Sequence, residues 1–124
     1  MRRSLKKLTR NREKCREWAL KECIRDIDEF RLRYELPAPF VAKGMFSVMQ
    51  MPYHKYKMLG LVVPGDTVFV LDIVPRVNEN GYTKFTSSFV FVLFTAKGFG
   101  HMTFDKHLGD GGMFPRIARM LEAL

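Results

Sequence analysis

A helical repeat of apolar residues between positions 11 and 34 constrains the fold of this chain more than any other feature. Apolar side chains recur there at three- and four-residue steps, at Cys15, Ala19, Cys23, Ile27, Phe30 and Tyr34. Asn11 is a suitable N-cap, although Ser4 is an alternative start. Pro37 and Pro39 must end the helix near Leu36. The spacing predicts one long helix with an apolar face, widened by Trp18, Leu20 and Ile24, that packs on a sheet.

The residues that follow the prolines are patterned as strands and turns. Strands are predicted over residues 40–51 with a break at Gly44, and over 53–63, 67–74, 82–95 and 99–104. Pro64-Gly65-Asp66 and Asn80-Gly81 are strong turn signals. Helical spacing returns over residues 113–124. We therefore expect an α+β protein, with a long N-terminal helix packed on an antiparallel meander of about four or five strands and a short C-terminal helix.

The length and composition predict a single folded domain. The chain has 124 residues, of which 47% are hydrophobic, and about two-thirds of its unfolded surface can be buried on folding. Residues 13–124 are assigned to this α+β domain, and residues 1–12 to a basic N-terminal tail or helix start. No stretch of 18 apolar residues is present, so we expect no membrane span.

The charge distribution favours an anionic partner. The formal net charge is +8, and the first twelve residues contribute six basic side chains and no acidic one: Arg2, Arg3, Lys6, Lys7, Arg10 and Arg12. Nucleic acid, an acidic protein surface and anionic lipid all satisfy such an excess. Charge alone does not choose among these partners.

One octapeptide points to nucleic acid. Residues 97–104 read Lys-Gly-Phe-Gly-His-Met-Thr-Phe, and alternate residues of a strand present their side chains on one face. Phe99 and His101 would offer flat rings to bases, and Lys97 would contact a phosphate. The alternative is structural: a turn at the glycines, followed by a strand with core phenylalanines.

The octapeptide resembles the RNP1 segment of the RNA recognition motif. The segment 68–73 loosely resembles its RNP2 partner, and residues 91–100 are similar to the strand, turn and Lys-Gly-Phe-Gly of cold-shock domains. Either resemblance implies binding of single-stranded nucleic acid to a β-sheet. Residues 74–96 have no room for the helix and strand that separate the two RNP segments, so no family membership is assigned.

A second aromatic and basic segment is present at Tyr53, Lys55, Tyr56 and Lys57. It predicts either a nucleic-acid contact by stacking and charge or an edge strand protected from aggregation by lysines. Four of the eight methionines lie between positions 45 and 58. They form either adaptable core or a protein-binding surface.

Signs of catalysis are few. His101, Asp105, His107 and Asp110 are the only cluster, and their spacing does not suit one helix face. Cys15 and Cys23 are eight residues apart, about 12 Å on a helix, which is too far for a disulfide. Unpaired cysteines fit a reducing compartment, so we expect a cytoplasmic location. No cofactor or metal is expected, and we predict that the protein is not an enzyme.

Three functions remain as hypotheses. The first is a non-enzymatic protein that binds nucleic acid or a nucleoprotein through the basic N-terminal residues, the segment 53–57 and the octapeptide. The alternative is a protein-binding accessory factor, inhibitor or adaptor of a larger complex. A small metal-dependent nuclease that uses His101, Asp105 and His107 ranks third. The RNA or DNA preference and the oligomeric state are left open.

Overall fold

A computed structural model describes the backbone of residues 2–50, 57–79, 85–105 and 112–124, and side chains from residue 12 onward. It contains two helices, α1 (Arg2–Arg33) and α2 (Met113–Met120). Its strands are β1 (Ala38–Ala42), β2 (Phe46–Gln50), β3 (Met58–Val62), β4 (Thr67–Glu79), β5 (Phe85–Thr95), β6 (Gly98–Asp105) and β7 (Leu121–Ala123). The α+β class and the two terminal helices are confirmed.

The described strands form one antiparallel sheet of seven strands rather than the predicted four or five. Its order is β3-β2-β6-β5-β4-β1-β7. Only β4, β5 and β6 follow one another as a meander, because β1 pairs with β4 and β2 pairs with β6. The sequence indicated the break at Gly44, but it did not indicate that the two halves lie on opposite sides of the central hairpins.

The order of the strands forces the sheet to curl. Three residues join Ala42 to Phe46, so these two Cα atoms lie within about 14 Å of each other. In a flat sheet the four steps from β1 to β2 would separate the strands by about 19 Å. The sheet accordingly adopts a curled half-barrel. The loop 43–45 closes the curl and is hydrogen bonded to the end of α2 through the amide of Lys43 and the carbonyl of Met120, 2.7 Å apart.

The core lies between α1, α2 and one face of this sheet, here called the helix face. Phe30 of α1 is at its centre, with ring contacts to Phe40 of β1, Phe91 of β5 and Phe114 of α2. Ile117 of α2 is also buried in it. These contacts join aromatic rings from two helices and two strands, and their burial stabilises the fold.

The two helices differ from prediction at their ends. α1 begins at Arg2, because residues 2–10 contain no proline or glycine that would end a helix. Its buried face is narrower than expected, and Trp18, Leu20 and Ile24 are exposed. Helix α2 stops at Met120, where the backbone becomes extended and β7 pairs with the edge of β1. Tertiary pairing has overridden the helical spacing of the last residues.

β4 is longer than predicted and includes Pro75. β1 pairs with β4 only through Val70, whereas β5 pairs with it as far as Glu79. Proline lacks an amide hydrogen and is tolerated where a strand has a free side. The second half of β4 therefore continues through Pro75 as a sheet edge among the described strands.

Substitution of Gly100 should destabilise the sheet more than substitution of its other glycines. A Cβ added there would lie 2.4 Å from Cγ1 of Val48 and 2.6 Å from the carbonyl oxygen of Met49. Gly100→Ala should lower the free energy of unfolding by about 2 kcal/mol, because the backbone of β2 would have to move. Urea unfolding measures this change.

Gly60→Ala is the matched control. The nearest atoms to its added Cβ would belong to the flexible stem of Lys97, with the closest at 3.0 Å. We expect a change below about 1 kcal/mol. Equal losses in the two variants would contradict the close packing of Gly100 against β2.

Candidate nucleic-acid interface

The face of the sheet opposite the helices, here called the far face, carries a row of exposed phenylalanines. Phe69 of β4 is in register with Phe94 of β5, which is in register with Phe99 of β6. The ring centroids are 6.4 Å apart for the first pair and 4.8 Å for the second. Phe99 is 62% exposed, and the other two are also exposed. We call these three residues the phenylalanine row.

The row arises from strand alternation at one end of the sheet. In β5, Phe89, Phe91 and Leu93 point into the core, so Phe94 points to the far face. The register then aligns the far-face residue of each neighbouring strand with it. Exposed rings in contact across three strands make this part of the far face a candidate interaction surface.

Lys97, Gly98 and Gly100 of the octapeptide each have a different structural environment. Gly98 has a φ of 115°, a value that favours glycine, in the turn between β5 and β6. The stem of Lys97 packs against Gly60 of β3, and its side chain is exposed. Val48 and Met49 of β2 occupy the space beside Gly100, where a side chain would stand. A nucleic-acid backbone therefore cannot approach Gly100 from that side. Phe104 lies in the core, on the helix face.

His101 is on the far face, but it is buried at 5% exposure. It lies between Val92 of β5 and Met49 of β2 in the register. Burial lowers the pKa of His101 from its usual 6.5, and the positive charge of Arg76 lowers it further. Hydrogen bonds to the backbone of Gln50 and Met49 act in the opposite direction. His101 therefore supports the sheet and does not present its ring to bases.

Arg12, the basic N-terminal residue whose side chain the structure describes, lies far from the phenylalanine row. Arg12 forms an ion pair with Glu79, at the end of β4. Phe69 is ten positions earlier in β4, about 30 Å along the strand. In addition, α1 packs on the helix face, whereas the row is on the far face. Arg12 and the row therefore do not form one continuous surface.

The side chains of several predicted site residues lie outside the part of the chain that the structure describes. The side chains of Arg2, Arg3, Lys6, Lys7 and Arg10 lie outside the described residues, as do Tyr53, Lys55 and Tyr56. Lys57 is described and is exposed. Its carbonyl accepts a hydrogen bond from the amide of Gln50, which places it at the same end of β2 and β3 as Gly100.

Sequence reasoning missed Phe69 and Phe94. Both lie in strands with apolar residues on both faces, and such a strand predicts burial on both sides. The available signal was their position near the ends of their strands: Phe94 is two residues before the Ala96-Lys97 turn, and Phe69 is three after the Pro64-Gly65-Asp66 turn.

The two described residues of the proposed nuclease site, His101 and Asp105, are not brought together. His101 and Asp105 lie on one strand, about 13 Å apart. Asp105 accepts a hydrogen bond from Ser88, with 2.8 Å between the oxygens. His107 and Asp110 lie outside the described residues. Across the described ranges, no group of three His, Cys, Asp or Glu residues could hold a metal ion.

Two further findings concern the molecule as a whole. Within the described ranges, no helix is both long enough and apolar enough to cross a membrane. Comparison with protein-family models, with curated proteins and with solved structures found no match.

The burial of His101 should make the stability of the fold depend on pH. The pKa of His101 is lower in the folded state, so the unfolded chain binds its proton more tightly. His101 therefore reduces stability progressively as the pH falls below about 6.5 and approaches the folded pKa. Wild type should lose more unfolding free energy than His101→Gln between about pH 7.5 and pH 5.

Urea unfolding at a series of pH values measures this difference, and proton NMR of the imidazole measures the pKa directly. The carboxylates and the other histidines contribute equally to both proteins, so the difference isolates His101. A pH dependence that is the same in both proteins would contradict the assigned shift.

Proposed function

We propose that the protein binds single-stranded nucleic acid by stacking unpaired bases on the phenylalanine row. The observation that carries this proposal is the contact of three exposed rings in register across adjacent strands. Stacking of a base on an aromatic side chain contributes about 1–3 kcal/mol and does not depend on base identity. The ligand is therefore unpaired nucleic acid with little sequence preference.

The charge of the chain supports an anionic ligand over an ordinary apolar partner. The net charge of +8 attracts polyanions, and Lys97 and Lys57 lie at the end of the sheet that carries Phe99. A base stacked on Phe99 would place its phosphate near this end. The N-terminal basic residues would then strengthen binding only for longer strands, because Arg12 is distant from the row.

The direct test is fluorescence anisotropy with a labelled single-stranded oligonucleotide and with a hairpin duplex of the same length. Phe99→Ala should weaken binding to the single strand about tenfold, and Phe94→Ala should do the same. Binding to the duplex should be weaker and should not respond to either substitution, because paired bases cannot stack on the row.

Two matched variants separate stacking from other effects. Leu32→Ala removes an apolar side chain of α1 that is even more exposed than Phe99, and should leave binding unchanged. Phe99→Leu keeps an apolar side chain but removes the ring, and should weaken binding nearly as much as Phe99→Ala. Failure to bind any oligonucleotide at micromolar concentration and low salt would overturn the proposal.

The same variants examine the alternative of a protein-binding accessory factor. A protein partner that covers the row would recognise apolar area, so Phe99→Leu would retain most of its affinity. Capture of partners from a lysate treated with nuclease gives the complementary measurement. Partners that survive the nuclease and tolerate Phe99→Leu favour the accessory factor.

Salt should weaken binding to the single strand. The slope of log K against log salt is about −0.7 for each phosphate contacted on a single strand. Lys97→Gln should make the slope shallower by about that amount if Lys97 contacts one phosphate. A matched substitution on α1, Arg25→Gln, should leave the slope unchanged, and an equal change in both variants would exclude a specific contact at Lys97.

A further inference from the structure

A groove on the helix face forms a second surface that the phenylalanine row does not use. Met45 and Phe46 line one wall, and Arg116, Arg119 and Met120 of α2 line the other. Its volume is about 360 Å³, enough for one or two amino-acid side chains. We call it the α2 groove.

The two walls of the α2 groove are held at a fixed separation. The amides of Lys43 and Gly44 donate hydrogen bonds to the carbonyl of Met120, at 2.7 and 3.4 Å. The ammonium of Lys43 donates to the carbonyl of Ala118 at 2.8 Å. These bonds tie the loop 43–45 to the last turn of α2. The groove is therefore preformed, which reduces the entropy lost when a ligand binds.

Among the described residues that line the groove, the charged side chains are both arginines. Arg116 and Arg119 are three residues apart and share one side of α2. The Arg116 guanidinium carbon lies 5.2 Å from the ring centre of Phe104, which restricts its orientation. Lys43 adds a positive charge on the adjoining loop. None of the five lining residues is acidic, so the groove attracts carboxylates.

Methionines supply the apolar part of the groove. Met45 is 66% exposed and stands opposite the half-buried Met120, with the buried Phe46 beside it. The core interpretation of the methionines between positions 45 and 58 is therefore wrong at Met45, and also at Met58, which is exposed. Methionine is flexible and polarisable, and it adapts to side chains of different shape. An apolar anchor of a ligand can be accommodated between Met45 and Met120.

We propose that the α2 groove binds an acidic peptide segment of a partner protein. An apolar side chain of that segment inserts between Met45 and Met120, and its flanking carboxylates contact Arg116 and Arg119. Nucleic acid fits the groove less well, because Phe46 is buried and offers no ring for stacking. A second copy of this chain also fits poorly, since each copy carries a net charge of +8.

Fluorescence anisotropy with a synthetic peptide tests this proposal on the full chain. The probe is a short labelled peptide in which Asp and Glu alternate with Leu and Phe, and its control replaces the acids with Asn and Gln. The acidic peptide should bind, and the neutral peptide should bind at least tenfold more weakly. Arg119→Glu should weaken binding of the acidic peptide by about tenfold or more, and Met45→Ala should also weaken it.

Arg25→Glu is the matched control, because it changes the net charge equally at an exposed position of α1 away from the groove. It should reduce binding far less than Arg119→Glu. Equal losses in the two charge variants would overturn the proposal, as would failure of the acidic peptide to bind. Each variant is first shown by circular dichroism to melt like the wild type.

A competition experiment separates the groove from the phenylalanine row. An unlabelled single-stranded oligonucleotide should not displace the peptide from the groove, and Phe99→Ala should bind the peptide normally. The groove would instead be assigned to nucleic acid by two results together. The oligonucleotide would displace the peptide, and Arg119→Glu would lose oligonucleotide binding. Peptide binding without any oligonucleotide binding would support the groove and overturn only the function proposed for the row.

Discussion

The three-residue connection between β1 and β2 is the constraint on which the rest of the structure depends. These strands flank the central β4, β5 and β6, and a connection of this length cannot cross three strands of a flat sheet. Curling brings the ends of β1 and β2 together. The loop then meets α2, and hydrogen bonds from Lys43 and Gly44 to Met120 hold the contact. Both the core and the α2 groove follow from this closure.

The curl also determines how the two faces of the sheet can be used. The helices cover one face, where Phe30 meets Phe40 and Phe91. On the other face, the end near the β5–β6 turn leaves the phenylalanine row exposed, whereas His101 in the neighbouring position is buried. A row of exposed aromatic rings and a basic groove therefore lie on opposite faces. Such a separation would allow one small domain to contact two different partners at once.

Much of the fold could be predicted from local pattern. The helical repeat of Ala19, Cys23, Ile27 and Phe30 is the buried face of α1, and the break at Gly44 separates β1 from β2. The candidate site was predicted only in part. Phe99 is exposed as required, but His101 is buried, and Phe69 and Phe94 were overlooked. An apolar strand residue is compatible with either face, so its exposure depends on neighbours that are distant in sequence.

The sequence by itself determined the class of the fold, the approximate places of most strands and the net positive charge. These properties depend on residues close together in the chain, through helical and strand periodicity and the backbone preferences of proline and glycine. Only the tertiary structure decided the strand order, the conversion of residues 121–123 from predicted helix to β7, and the separation of Arg12 from Phe99. Each of these results from pairing between segments that are far apart in sequence. The choice between pairings depends on how the whole sheet closes, which no local pattern records.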